Sequence, residues 1–205
     1  MTTSRTLGIA TLALTAAMAL AGCGSDSPNP DGDPTNGTPT ADASGSAGGS
    51  EVPADWQEAK TDEAAVHLPR DWAILNAKDT SVGFEPPKGK FGFAPGGGTM
   101  TTGVHSGTGD LKSDINRAAE HHLKALQSDP TSTNVKRLSN MTTADGVELS
   151  IVQWETDQTW NVEYTTVTED GQWVLGVTWQ FNKSDIDRKG SQELIAPVME
   201  TFELL

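Results

Sequence analysis

The chain has 205 residues, a formal net charge of −14 and one cysteine. So acidic a protein is excluded as a nucleic-acid binder, and charge alone would not hold it on anionic lipid. A single cysteine excludes an internal disulfide, so a folded domain must rest on its core, for which about 150 residues suffice.

Residues 1–22 read as a delivery signal. One cation, Arg5, precedes an uncharged run over residues 7–20, which is too short for a comfortable membrane span. The run ends in Leu20-Ala21-Gly22-Cys23 where an ordinary signal would end in A-x-A. This spacing resembles the lipobox of bacterial lipoproteins. The resemblance implies that the Cys23 thiol is lipidated and that Cys23 becomes the first residue after cleavage. It places the protein at the cell membrane, lipid-anchored, on the extracytoplasmic side. Two or more acyl chains hold stably where one is marginal.

Residues 23–50 follow as a tether. Beyond Cys23 they contain only Gly, Ser, Ala, Thr, Pro, Asn and Asp, and so cannot bury enough apolar area to offset their ordering entropy. As a flexible coil the segment would span about 30 Å. Asp31-Gly32-Asp33 begins like a calcium loop, but Thr35 stands where the third ligand belongs.

Residues 51–205 form the expected domain. An acidic lead-in over 51–60 precedes a strand at 64–68, a Pro69-Arg70-Asp71-Trp72 turn and a returning strand at 72–75, read together as an N-terminal hairpin. Residues 81–85 read as a short strand and 99–105 as another. The Gly/Pro-rich stretch between them has no regular structure assigned. Residues 111–127 read as a helix capped by Asp110 and stopped by Asp129-Pro130, with Leu111, Ile115, Ala118, His122, Ala125 and Leu126 on one face. Four strand-like runs follow, at 135–141, 147–155, 160–168 and 173–181, joined by short turns as an antiparallel meander. Trp173, Leu175, Val177, Trp179 and Phe181 share one side of the last. The second run changes phase at Ile151-Val152, which calls for a bulge or burial on both faces. Residues 184–205 read as a closing amphipathic helix.

This order, together with Val66-His67-Leu68-Pro69-Arg70-Asp71-Trp72 and the closing Met199-Glu200-Thr201-Phe202, resembles the PsbP-like superfamily and, within it, the LpqN-type lipoproteins of actinobacterial envelopes. The resemblance spans residues 55–205. It implies an α+β sandwich with helices against an antiparallel sheet, and a non-enzymatic accessory role. The family has no shared catalytic set to carry over.

The residues support that absence of catalytic chemistry. There is no nucleophile elbow, P-loop, G-x-G-x-x-G, H-E-x-x-H or cysteine pair. No catalytic residue, cofactor or metal ligand is assigned. His121 and His122 diverge by about 100° on a helix, so the metal alternative is a zinc site built from His122 and a strand residue. His122 otherwise reads as a hydrogen-bonded boundary residue. Candidate partner-binding residues are Phe91 and Phe93 with Lys88 and Lys90: two rings in a Gly/Pro loop either fold back as a lid or stand out as an anchor beside a small cationic patch. The expected function is a monomeric, membrane-anchored binding or adaptor module for an envelope protein or an apolar, lipid-like ligand. The rivals are an envelope hydrolase with a non-standard site and a purely structural lipoprotein. A pocket between sheet and helices lined by Trp160, Trp173 and Trp179 would favour a ligand, and a filled core would favour a protein.

Overall fold

The computed structural model describes residues 52–89 and 92–205. The leader, Cys23 and the tether lie outside the described residues, as do Lys90 and Phe91. In chain order the elements are β1 (Trp56–Lys60), β2 (Ala64–Pro69), β3 (Ala73–Lys78), β4 (Ser81–Glu85), β5 (Gly96–Val104), α1 (Leu111–Ser128), β6 (Thr133–Arg137), β7 (Met141–Thr142), β8 (Glu148–Glu155), β9 (Thr159–Val167), β10 (Trp173–Asn182), α2 (Arg188–Glu200) and β11 (Glu203–Leu204). Every strand pair is antiparallel. The chain is α+β: a large sheet in the order β3-β4-β5-β10-β9-β8-β6, with β7 also on β8, and a small sheet β1-β2-β11. No helix among the described residues is long and apolar enough to cross a membrane.

The alternation in β10 dictates the core. Leu175, Val177, Trp179 and Phe181 are all buried on one face of the large sheet, where they meet Val66 and Leu68 of the small sheet and Ile195, Val198 and Met199 of α2. Trp179 lies at the centre. Its ring meets Trp72 edge-on at 6.0 Å and Phe84 at 4.9 Å, and stacks on Phe181 at 6.1 Å. Its indole N–H donates to Met199 Sδ at 3.4 Å. The Gly-rich run belongs to this packing, because β5 begins at Gly96 and not at Thr99. A Cβ on Gly98 would overlap the Phe84 ring and come within 2.9 Å of Trp179 Cε3. Only glycine leaves room there for two aromatic rings.

Four expectations are corrected. The 64–68 and 72–75 strands do not form a hairpin: β2 pairs β1 and β11, whereas β3 pairs β4. The Pro69–Trp72 corner, closed by Trp72 N–H donating to Pro69 C=O at 3.0 Å, carries the chain from the small sheet to the large one. The 51–60 lead-in contains β1, which the pattern hides because Ala59 is its one buried residue. The first run of the four-strand meander is split into β6 and β7, both on β8. The closing helix stops at Glu200. Thr201 caps it with a 2.7 Å bond to Val198 C=O and accepts the His67 N–H at 2.8 Å, which turns the chain into β11.

The phase change in β8 is burial on both faces. Leu149 and Ile151 face the core, and Val152 faces α1, which packs across β6, β8 and β9 on the far side. α1 carries its Asp110 cap as expected, with Ser113 Oγ donating to Asp110 Oδ2 at 2.7 Å. Its buried face is turned from the expected one: Ile115 holds, Ala119 and Asp114 are buried in addition, and Leu111 is 41 % exposed.

Trp179→Ala is expected to cost about 3–5 kcal/mol, read as a lowered urea midpoint at unchanged slope. A midpoint equal to wild type would show that this ring does not organise the core.

Candidate functional site

The chemistry-bearing side chains gather on the outer face of the large sheet, against α1. His105 and Ser106 follow β5, Arg117, Ala118 and His121 lie on α1, and Glu163, Thr165 and Val174 rise from β9 and β10. Together they line a cleft of about 460 Å³.

Two polar clusters border it. The first is centred on Asp114, which is 1 % exposed. Its carboxylate accepts the Thr108 N–H at 2.8 Å and the Thr108 hydroxyl at 3.0 Å, and pairs with Arg117 at 2.9 Å. His105 Nε2 is 3.7 Å away. Burial pushes the Asp114 carboxyl up, but the two Thr108 bonds and the charge of Arg117 outweigh it and hold the group below the ordinary carboxylate range. Arg117 Nη2 also lies 3.0 Å from His105 Nε2 and donates to Ser106 C=O. Because a guanidinium only donates, the Nε2 lone pair is engaged by Arg117. His105, Ser106 and Asp114 therefore do not make a nucleophile–base–orienter set: the base position is already occupied by a cation.

The second cluster is Glu163, beneath α1. Thr165 Oγ1 donates to it at 3.0 Å and Thr178 Oγ1 at 2.9 Å, and His122 Nδ1 lies 2.6 Å from Oε1. This nitrogen is shielded from solvent, and its close approach favours the ionised Glu163 carboxylate. Burial raises the Glu163 carboxyl, and His122 with the two hydroxyls lowers it further than that, for a net downward shift. Both acids are thus held ionised, the direction opposite to that of a general acid tuned for neutral pH. The His122 ring also meets Trp154 edge-on at 5.4 Å. His122 and strand residue Glu163 do come together, but no third metal-ligating side chain converges on them among the described residues.

Beside the cleft, the outer face that α1 leaves uncovered forms a groove of about 620 Å³. Its floor is Gly83, Gly97, Thr99 and Thr178, and Trp154 and Gln180 border it. Ala94 of the Gly/Pro loop stands at its margin. In that loop Phe93 is 75 % exposed and does not fold back onto the sheet. Lys88 is exposed as well.

The interior is filled by comparison. Between large sheet and α2 there is a cavity of only about 50 Å³, lined by Trp160, Tyr164, Phe181 and Ile195 among others, with room for a few waters and no acyl chain. Of the three tryptophans whose pocket would have favoured a ligand, only Trp160 lines this cavity. Lys183 Nζ and Arg188 Cζ sit 4.3 and 4.8 Å from the Trp160 ring centre and close its face, and its N–H donates to Ile186 C=O at 3.1 Å. Burial pushes the Tyr164 hydroxyl up to about 12.

A scan against protein-family models found no match, nor did a search of curated proteins. Among solved structures, a crystal structure from Bacteroides thetaiotaomicron VPI-5482 at 1.50 Å resolution is similar at a TM-score of 0.41 and 13 % identity, over 72 % of this chain and 47 % of that one. This chain therefore spans about half that protein's length, and so distant a likeness carries no inference of function.

The Asp114 cluster sets an acid limit on stability. A carboxyl with a folded pKa below its ordinary 3.8 stabilises fully above that value and loses the contribution as pH falls through the folded pKa. The melting-temperature gap between wild type and Asp114→Asn should therefore be widest near pH 5–6 and shrink steadily toward pH 2.5. A gap that stays constant across that range would show that ionised Asp114 contributes nothing.

Proposed function

We propose that this protein is a lipid-anchored binding module of the cell envelope, a PsbP-like domain carried on Cys23 by its tether, and that its target is a protein docked on the open outer face of the large sheet. The observation that carries the reading is the contrast between the two sides of that sheet. The inner side has about 50 Å³ to offer, and the outer side has a groove of about 620 Å³. An apolar lipid would need the reverse. One residue before Ala94 at the groove's margin, Phe93 gives a partner a large exposed ring to bury, and the chain that follows Lys88 returns to it, Gly89 N–H donating to Phe93 C=O, so that the loop adds a cation to an otherwise acidic protein. Phe91 and Lys90, its neighbours in sequence, complete the proposed anchor.

The non-enzymatic reading is supported by the state of the polar clusters: Asp114 and Glu163 are held ionised, and His105 has its lone pair engaged. The PsbP-like assignment is supported by the Pro69–Trp72 corner, whose indole packs on Trp179, and by α2, whose Met199 meets the same ring.

Anchoring is tested by Cys23→Ala. Metabolic labelling with an alkyne fatty acid should mark the wild type and leave the variant unmarked, and equal labelling of the two would rule out the lipobox.

Docking is tested by Phe93→Ser. As a surface change it should move the melting temperature by less than about 2 °C, yet remove the main crosslinked envelope partner. Undiminished crosslinking, or a lipid bound one to one in native mass spectrometry of the full chain, would overturn the reading.

A further inference from the structure

The small sheet carries a second constellation, independent of the docking reading. Its outer face brings together Glu58 of β1, His67 of β2 and Glu203 of β11, one side chain from each of three adjacent strands. Glu58 and His67 are direct cross-strand partners. Glu203 pairs with Ala65, two residues from His67 and on the same face. One ring nitrogen of His67 and one oxygen of each carboxylate lie within 4.8 Å of one another.

Three features of the arrangement point to a cation. The His67 ring has an unmet need: its Nδ1 is shielded from solvent and has no hydrogen-bond partner, although most buried polar atoms have one. The two carboxylates are brought close with little to offset them. The ion pair they make among the described residues is Glu58 with Lys60 at 2.9 Å, and with the two side chains 39 % and 58 % exposed the pairing is weak and screened. Finally, the strands are held in place behind the ligands. The His67 N–H donates to Thr201 Oγ1 at 2.8 Å, and Ala65 and Ala64 pair with Glu203 and Leu204.

We propose that Glu58, His67 and Glu203 bind a divalent transition-metal ion, with zinc as the best fit. One imidazole nitrogen and two carboxylate oxygens suit Zn²⁺ in a four-coordinate site whose last position is left to water. Ca²⁺ and Mg²⁺ prefer all-oxygen shells of six or more ligands, which this face does not offer. Ligands around a tetrahedral zinc stand about 3.3 Å apart, so the observed spacing must tighten, and the exposed Glu58 side chain can turn inward to do so. Bound there, the ion clamps β1 and β11 to β2 and ties the end of the folded chain to its beginning.

The test is calorimetric titration of the full chain with ZnCl₂, alongside thermal melts. One Zn²⁺ per chain should bind, and at a hundredfold excess over its Kd the melting temperature should rise by about 5–10 °C. His67→Gln and Glu203→Gln should each weaken binding at least tenfold. Glu58→Gln, an exposed change that leaves the fold intact, should weaken it as well and keeps the test valid if His67→Gln fails to fold. Glu193→Gln on α2 controls for general acidity and should bind as wild type does. Absence of stoichiometric binding, or wild-type affinity in both Glu58→Gln and Glu203→Gln, would overturn the proposal.

Discussion

A single indole sets the spacing between the two layers of this domain. Trp179 is too large for a sheet-on-sheet interface unless something opposite it is small, and Gly98 on the neighbouring strand supplies that space. The cavity so made is shared with Phe84, closed at one side by Trp72 from the corner and roofed by Met199 from α2. Four separate stretches of sequence thus answer to one ring. The Gly-rich run, the Pro69 corner and the last helix look unrelated in the sequence, and in the fold they are the walls of one packing unit.

The other side of the sheet follows a different rule. There the strands present Thr, Glu, Gln and Gly, and α1 lies mainly across β6, β8 and β9. Where the helix covers an acid, the protein surrounds it with donors: Glu163 has two hydroxyls and a histidine, and Asp114 has Thr108 and Arg117. A buried charge without such partners would cost several kcal/mol. The same economy appears at Glu155, which takes Lys183 and Arg188 together, both of them also covering Trp160. The chain has 14 cations against 28 acids, and Arg117, Lys183 and Arg188 go to the two buried acids among the described residues, Asp114 and Glu155.

Periodicity reveals elements whose two faces differ. β10 alternates strictly from Leu175 to Phe181 and was legible, as were the span of α1 and its Asp110 cap, though not the face that α1 buries. β1 was not, because Glu58 and Lys60 face water and only Ala59 is buried. β11 is two residues long, too short for any pattern. The tail residues 201–205 continued the helical stripe by coincidence: Phe202 is buried as a helix would require, and Leu205 is 60 % exposed as a helix would not. Which strands pair was beyond the sequence for a related reason. A Pro–Trp turn between two apolar runs is equally consistent with a hairpin and with a change of sheet, and the choice is made by β1 and β11, which lie outside the turn. The polar clusters were hidden in the same way. Asp114 read as one more helix acid and Glu163 as the polar side of a strand, since partners such as Thr178, 15 residues from Glu163, are set by register.

The union of β2 with the tail also fixes an order of events during biosynthesis. His67 waits for Thr201, which is 134 residues further along. At ribosomal speeds of about 5–20 residues per second, that separation lasts roughly 7 to 27 s. Throughout it Ala64, Val66 and Leu68, all fully buried in the finished domain, have neither α2 nor β11 to shelter them. Contacts of such span close late and slowly. The nascent domain therefore stays open until nearly its last residue has emerged. That delay leaves an apolar strand in need of a chaperone's cover until the closing helix and strand arrive.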